Sequence, residues 1–113
     1  MKTKVASLLL LSALCLFSCR KDEWPALSVE VSCATTGFVV SYTYGEGSVE
    51  QVVDGRSFTG KTVRVPAGTR VTALAQATGT QSLITLSVLR NGIIVQTATD
   101  TGDYCIAACD VVF

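Results

Sequence analysis

The stretch SLITLSVLR-NG-IIVQTAT, Ser82 to Thr99, decides the fold. Its first half alternates apolar Ile84, Leu86 and Val88 with Thr85 and Ser87, the period of a strand that turns one face to a core. Asn91-Gly92 follows, two residues that tolerate the positive φ of a type I′ turn, whose twist matches that of two antiparallel strands. IIVQTAT then resumes in β-branched residues, so the stretch predicts a β-hairpin.

Outward from the hairpin the same period continues. Leu27, Val29, Val31 and Cys33 alternate with Ser28, Glu30 and Ser32. FVVSYTY places Phe38, Val40, Tyr42 and Tyr44 on one side, Gly45-Glu46-Gly47 turns the chain, and SVEQVV leads to Asp54-Gly55. Arg56 to Gly60 reads as a loop with Phe58 as its one large apolar residue. TVRVP meets the turn Pro66-Ala67-Gly68, TRVTALAQA carries Val71, Ala73 and Ala75, and Asp100-Thr101-Gly102-Asp103 leads into YCIAACDVV. No ten-residue window beyond the N-terminal segment has a helical period. Seven or eight short strands with frequent turn signals predict an all-β fold, a small immunoglobulin-like β-sandwich over residues 26–113.

The N-terminal segment has a different character. Lys2 and Lys4 precede Val5 to Phe17, a run too short to cross a hydrocarbon core that needs about 20 residues, and this is the build of a secretory signal. Leu16-Phe17-Ser18-Cys19 resembles the lipobox of bacterial lipoproteins. The resemblance implies that residues 1–18 are a signal peptide and that Cys19 is acylated after cleavage; Cys15 is the poorer candidate, because bulky Leu14 would occupy the cleavage position. Cys19-Arg20-Lys21-Asp22-Glu23 is similar to the lipoprotein export signal of the Bacteroidota. It implies that Lys21, Asp22 and Glu23 direct the protein to the outer face of the outer membrane, with residues 19–25 as a lipidated tether.

Without Lys2 and Lys4 the processed chain has seven basic and nine acidic residues, and no basic patch argues for nucleic acid. The chain has no histidine, so imidazole-based catalysis is excluded. Asp54, Asp100, Asp103 and Asp110 sit at turns or strand ends, where aspartate commonly bonds local backbone; a calcium site at Asp100 and Asp103 is the sharper alternative. Nothing places two carboxylates in a cleft, and the expectation is a protein without enzymatic activity or cofactor.

Three cysteines remain after processing: Cys33, Cys105 and Cys109. Their spacing contains no CxxC, which argues against a metal site. On an extended strand Cys105 and Cys109 stand about 13 Å apart, too far for a bridge, so an intramolecular disulfide needs Cys33. Cys109 is the expected partner, on the reasoning that first and last strands of such sandwiches often run side by side in parallel, with Cys105 as the alternative. A bridge of that span stabilises by about 4 kcal/mol in the chain-entropy model. Alternation turns Cys105 to the same face as Cys109, so both are expected inside.

Two fold resemblances accompany these readings. Asp100-Thr101-Gly102-Asp103-Tyr104 resembles the tyrosine corner of immunoglobulin-like domains, although Cys105 follows one residue too soon. VSYTYGEG, the strand to Asp54-Gly55, KTVRVPAGTRVTALAQA, the Asn91-Gly92 hairpin and the closing Gly102-Asp103-Tyr104 to Cys109 look like the extracytoplasmic domain of the MmpS family, covering residues 39–109. That family implies a small β-sandwich that assists envelope exporters. Phe38, Tyr42 and Tyr44, with Trp24 and Phe58, form either core or a ligand platform, and core is the expectation for Phe38 and Tyr42. The expected function is that of a surface-exposed, lipid-anchored envelope lipoprotein acting as a binding or structural module. Its partners are then the membrane, through the anchor, and an envelope protein or glycan. The alternatives are an accessory subunit of a transporter and an adhesion or assembly subunit that uses the apolar stretch Val111-Val112-Phe113.

Overall fold

The computed structural model describes residues 23–113; the expected signal peptide, Cys19, Lys21 and Asp22 lie outside the described residues, and Glu23 is exposed at their start. Nine strands follow one another: β1 Ala26–Cys33, β2 Phe38–Tyr44, β3 Gly47–Val53, β4 Ser57–Thr59, β5 Val63–Arg64, β6 Arg70–Ala77, β7 Ser82–Arg90, β8 Ile93–Gly102 and β9 Ile106–Val112. They form two antiparallel sheets, one ordered β4-β1-β7-β8 with β5 also on β1, the other β3-β2-β6-β9. The sheets pack into an all-β sandwich.

The alternation read from the sequence is what fills the space between them. Leu27, Val29, Val31, Ile84, Leu86 and Val88 come inward from the first sheet, and Phe38, Val40, Tyr42, Val71, Ala73, Ala75, Ala77, Ala107 and Cys109 from the second; all are buried. Val29 lies across from Val88 and Val31 from Leu86, so the large side chains of β1 and β7 stand in cross-strand rows. On the facing sheet Ala73 pairs with Tyr42 and with Cys109. Among the described residues every buried side-chain nitrogen or oxygen has a hydrogen-bond partner.

The predicted hairpin forms as β7 and β8. Asn91 and Gly92 both take positive φ, 53° and 79°, as a type I′ turn requires. The pairing slips by one residue between Val88 and Leu89, where Leu89 meets Ile94 and Val95 is the extra residue of a β-bulge.

Two features depart from the sequence reading. The loop around Phe58 contains a ninth strand, β4, held by β1: Phe58 pairs with Val31 and Thr59 with Glu30. Its three residues are too few to display a period, and the exposed edge of β1 supplies the order. Gly60 allows the step from β4 to β5, donating its N–H to Val29 O at 2.8 Å, and a Cβ there would stand 2.6 Å from the Tyr42 hydroxyl. The second departure concerns the chain ends. The first and last strands are not parallel neighbours; β1 and β9 belong to opposite sheets and every pairing is antiparallel.

Phe38 is fully buried at the start of β2, so Phe38→Ala should destabilise the domain by about 3–5 kcal/mol. Val52, 70% exposed on β3, should tolerate alanine to within about 0.5 kcal/mol. Urea unfolding midpoints of the two variants check this, and comparable losses would contradict the assignment of the core.

Candidate functional site: the hydroxyl face and the buried thiols

Because β1, β4, β7 and β8 each place every second residue outward, the outer face of the first sheet collects short hydroxyl side chains in register. One row runs Thr59, Glu30, Ser87, Thr97 and the next Ser57, Ser32, Thr85, Thr99. Neighbours within a row are separated by the strand spacing of about 4.8 Å, and the rows by about 7 Å. Ser87 and Thr97 share a hydrogen bond of 3.1 Å, and Thr85 and Thr99 one of 3.4 Å. The short side chains of β1 leave a shallow groove of about 290 Å³ between β4 and β7, lined by Glu30, Ser32, Ser57, Thr59, Thr85 and Ser87. It offers donors, acceptors and one carboxylate to a polar ligand. Ser87 and Thr85 bond to the hydroxyls of Thr97 and Thr99 rather than to a base, so the face is built for hydrogen bonding. Sequence reading passed over this site because serine and threonine at outward positions look like ordinary solvated strand residues; only the register brings them together.

The other side chains singled out in the sequence are dispersed. Asp100 accepts a bond from Ile106 N at 2.9 Å and Asp103 one from Gln81 N at 2.8 Å, so each aspartate serves nearby backbone. Gln96 accepts from Asp110 N at 2.7 Å. Gln96 and Asp100, from β8, thus occupy part of the free edge of β9 and close that side of the sandwich. Among the described residues no group of three or more potential metal ligands comes together. Tyr104 corrects the tyrosine-corner resemblance: it takes a positive φ of 52° and is 56% exposed, facing out instead of tying the strand entry from inside. Phe38 and Tyr42 are core. Tyr44 tilts against Tyr42 with ring centres 6.1 Å apart, and Phe58 of β4 is half-buried against the core. These aromatics form no exposed platform with half-buried Trp24. Val111 and Val112 belong to β9, and Phe113 is buried with the Arg90 guanidinium 5.8 Å from its ring. Phe113 and Val111 are thus used by the core, while Val112 faces solvent.

Arg70 and Asp110, diagonal neighbours on the outer face of the second sheet, form an ion pair. Two hydrogen bonds from the guanidinium hold the Asp110 carboxyl below the usual carboxylate range and raise Arg70. Both are well exposed, so the pair contributes little to stability.

The expected disulfide is not formed. Cys33, Cys105 and Cys109 are three free, buried thiols. Cys33 ends β1 in the first sheet while Cys109 lies mid-strand in the second, with its sulfur 3.8 Å from Leu86 O. Burial pushes the Cys109 thiol up. At Cys33 burial also acts upward, but hydrogen bonds from Ser82 and Thr35 and from the Thr35 and Ala34 backbone outweigh it and leave the thiol below its ordinary value. The Ser82 contact is 3.3 Å, and Ser82 is itself bonded to Thr35 at 2.8 Å.

Comparison with known proteins found no family model that matches the chain and no curated protein significantly similar to it.

The thiols give a direct expectation. Peptide mapping without reductant should recover Cys33, Cys105 and Cys109 unlinked, with Cys33 the first to alkylate in the folded protein because more of it is thiolate at a given pH. Cys105 and Cys109 should label only on denaturation. A Cys33–Cys109 bridge in the mapped peptides would contradict this arrangement.

Proposed function

We propose that this chain is a lipid-anchored envelope lipoprotein whose sandwich is a non-enzymatic binding module, held at the outer membrane by Cys19 and facing the cell exterior. The observation that carries the reading is the sequence Leu16 to Glu23, a lipobox followed by an arginine, a lysine and two acids, with Cys19 seven residues ahead of the first strand at Ala26. A short polar spacer between an acylated cysteine and a folded domain is what an anchored module requires. Two or more acyl chains hold a protein stably on a bilayer, where one alone is marginal.

The hydroxyl face is the module's proposed contact surface. A grid of serine and threonine around Glu30 suits a ligand that both donates and accepts hydrogen bonds across a flat area, and a polyhydroxylated glycan of the envelope matches that chemistry better than an apolar partner. The absence of histidine from the chain and the self-paired hydroxyls support a binding role over catalysis.

Labelling cells with an alkyne fatty acid tests the anchor. The wild-type protein should incorporate the label, and Cys19→Ala should accumulate as an unlabelled, unprocessed precursor. Replacing Lys21, Asp22 and Glu23 together by alanine should preserve labelling while removing the protein from the reach of protease added to intact cells. Equal labelling of Cys19→Ala would overturn the anchor, and unchanged protease sensitivity of the triple variant would overturn the export role.

A further inference from the structure

The two ends of the sandwich differ. At one end lie the start of β1, the β7–β8 turn, the start of β6 and the end of β9: Ala26 N donates to Asn91 Oδ1 at 2.9 Å, Asn91 N donates to Ala26 O at 2.8 Å, and Phe113 lies under Arg90. The chain enters the sandwich here, beside the hairpin tip. At the other end lie Cys33, Phe38, Ala77, Ser82 and Gly102.

Both ends expose apolar side chains, but those of the far end, Val52, Leu83, Tyr104 and Ile106, sit on separate segments, whereas the entry end exposes a consecutive run that the core does not use. Ile93, Ile94 and Val95 are 70%, 55% and 45% exposed, and Val112 is 67% exposed. Ile93 and Ile94, before the bulge at Val95, project to opposite faces, so a flat partner laid on one face cannot cover both. A medium that surrounds the tip covers them all. Charge is divided the same way. Arg64, Arg70, Arg90 and Lys61 lie toward the entry end, against Glu23, Glu46 and Asp110, whereas the far end carries Asp54, Asp100 and Asp103 against Arg56. Arg64 also donates to Trp24 O at 2.9 Å, which holds its charge beside the incoming chain.

From this geometry we infer that the β7–β8 tip, Ile93 to Val95, with Val112, enters the interface of an anionic lipid bilayer, so that the sandwich stands on the membrane with its acidic end outward. The inference rests on the anchor at Cys19. Seven residue steps separate Cys19 from Ala26, so the tether spans at most about 25 Å even when fully extended. That tether keeps the entry end within reach of the headgroups. The far end stands off by the length of a strand, about 25 Å more. Apolar tip and basic rim are the two components that bind peripheral structures to anionic interfaces.

The test uses the full, processed protein in vesicles of phosphatidylethanolamine and phosphatidylglycerol that contain chain-brominated lipid, which quenches tryptophan at short range. In a Trp24→Phe background, Ile93→Trp and Val52→Trp place single reporters at two positions of equal exposure, 70%, at opposite ends of the sandwich. Quenching of Ile93→Trp at least threefold greater than that of Val52→Trp is the expected result. Mass measurement on the same samples reports acylation of Cys19. Acylated protein with equal quenching at the two positions overturns the proposed orientation and leaves the anchor standing, whereas protein without acyl chains overturns the anchor and this inference with it.

Discussion

The structure depends on a match of side-chain volume between the two sheets. Strand β7 drives Ile84, Leu86 and Val88 into the interior, and the strands facing it answer with small residues: Ala73, Ala75 and Ala77 on β6, Ala107 and Cys109 on β9. Sheets in such a sandwich pack about 10 Å apart, a distance that large side chains on one face fill only if the other face is small. Phe38, Val40 and Tyr42 on β2 fill the remainder beneath β1. The volume match also explains the thiols. Cys109 sits against the Leu86 carbonyl as a small apolar residue between alanines, a role in which cysteine needs no partner sulfur.

How much of this was legible in the sequence follows from how far apart the deciding residues lie. Period two and the Asn91-Gly92 turn are local, and they announced the strands, the hairpin and the inward placing of Phe38, Tyr42, Cys105 and Cys109. Strand order is non-local. Reading β1 and β9 as parallel neighbours assumed a topology; the two strands lie in opposite sheets, and Cys33 and Cys109 are free thiols. Strand β4 escaped because three residues have no measurable period; its order comes from the edge of β1. The hydroxyl face was hidden for a related reason. Each serine and threonine is unremarkable on its own strand, and only the registers of four strands align Thr59, Glu30, Ser87 and Thr97.

The sandwich divides its surfaces by chemistry. Its outer edge at β9 is closed by Gln96 and Asp100, so backbone that would otherwise recruit another strand is partly occupied. One face carries hydroxyls, one end carries the consecutive exposed run Ile93–Val95 with arginine around it, and the opposite end is acidic with its exposed apolar side chains scattered. This polarity suits the proposed anchoring, with one end toward the membrane and a broad polar face left free.

Strands β1 and β9 line opposite sheets, which fixes the core and the two ends at once. A map of backbone cross-strand proton contacts by nuclear magnetic resonance tests it most directly. The account predicts contacts pairing Val29 with Val88 and Ala73 with Cys109, and none joining the backbone of β1 to that of β9. Contacts between Ala26–Cys33 and Ile106–Val112 as adjacent strands would contradict it.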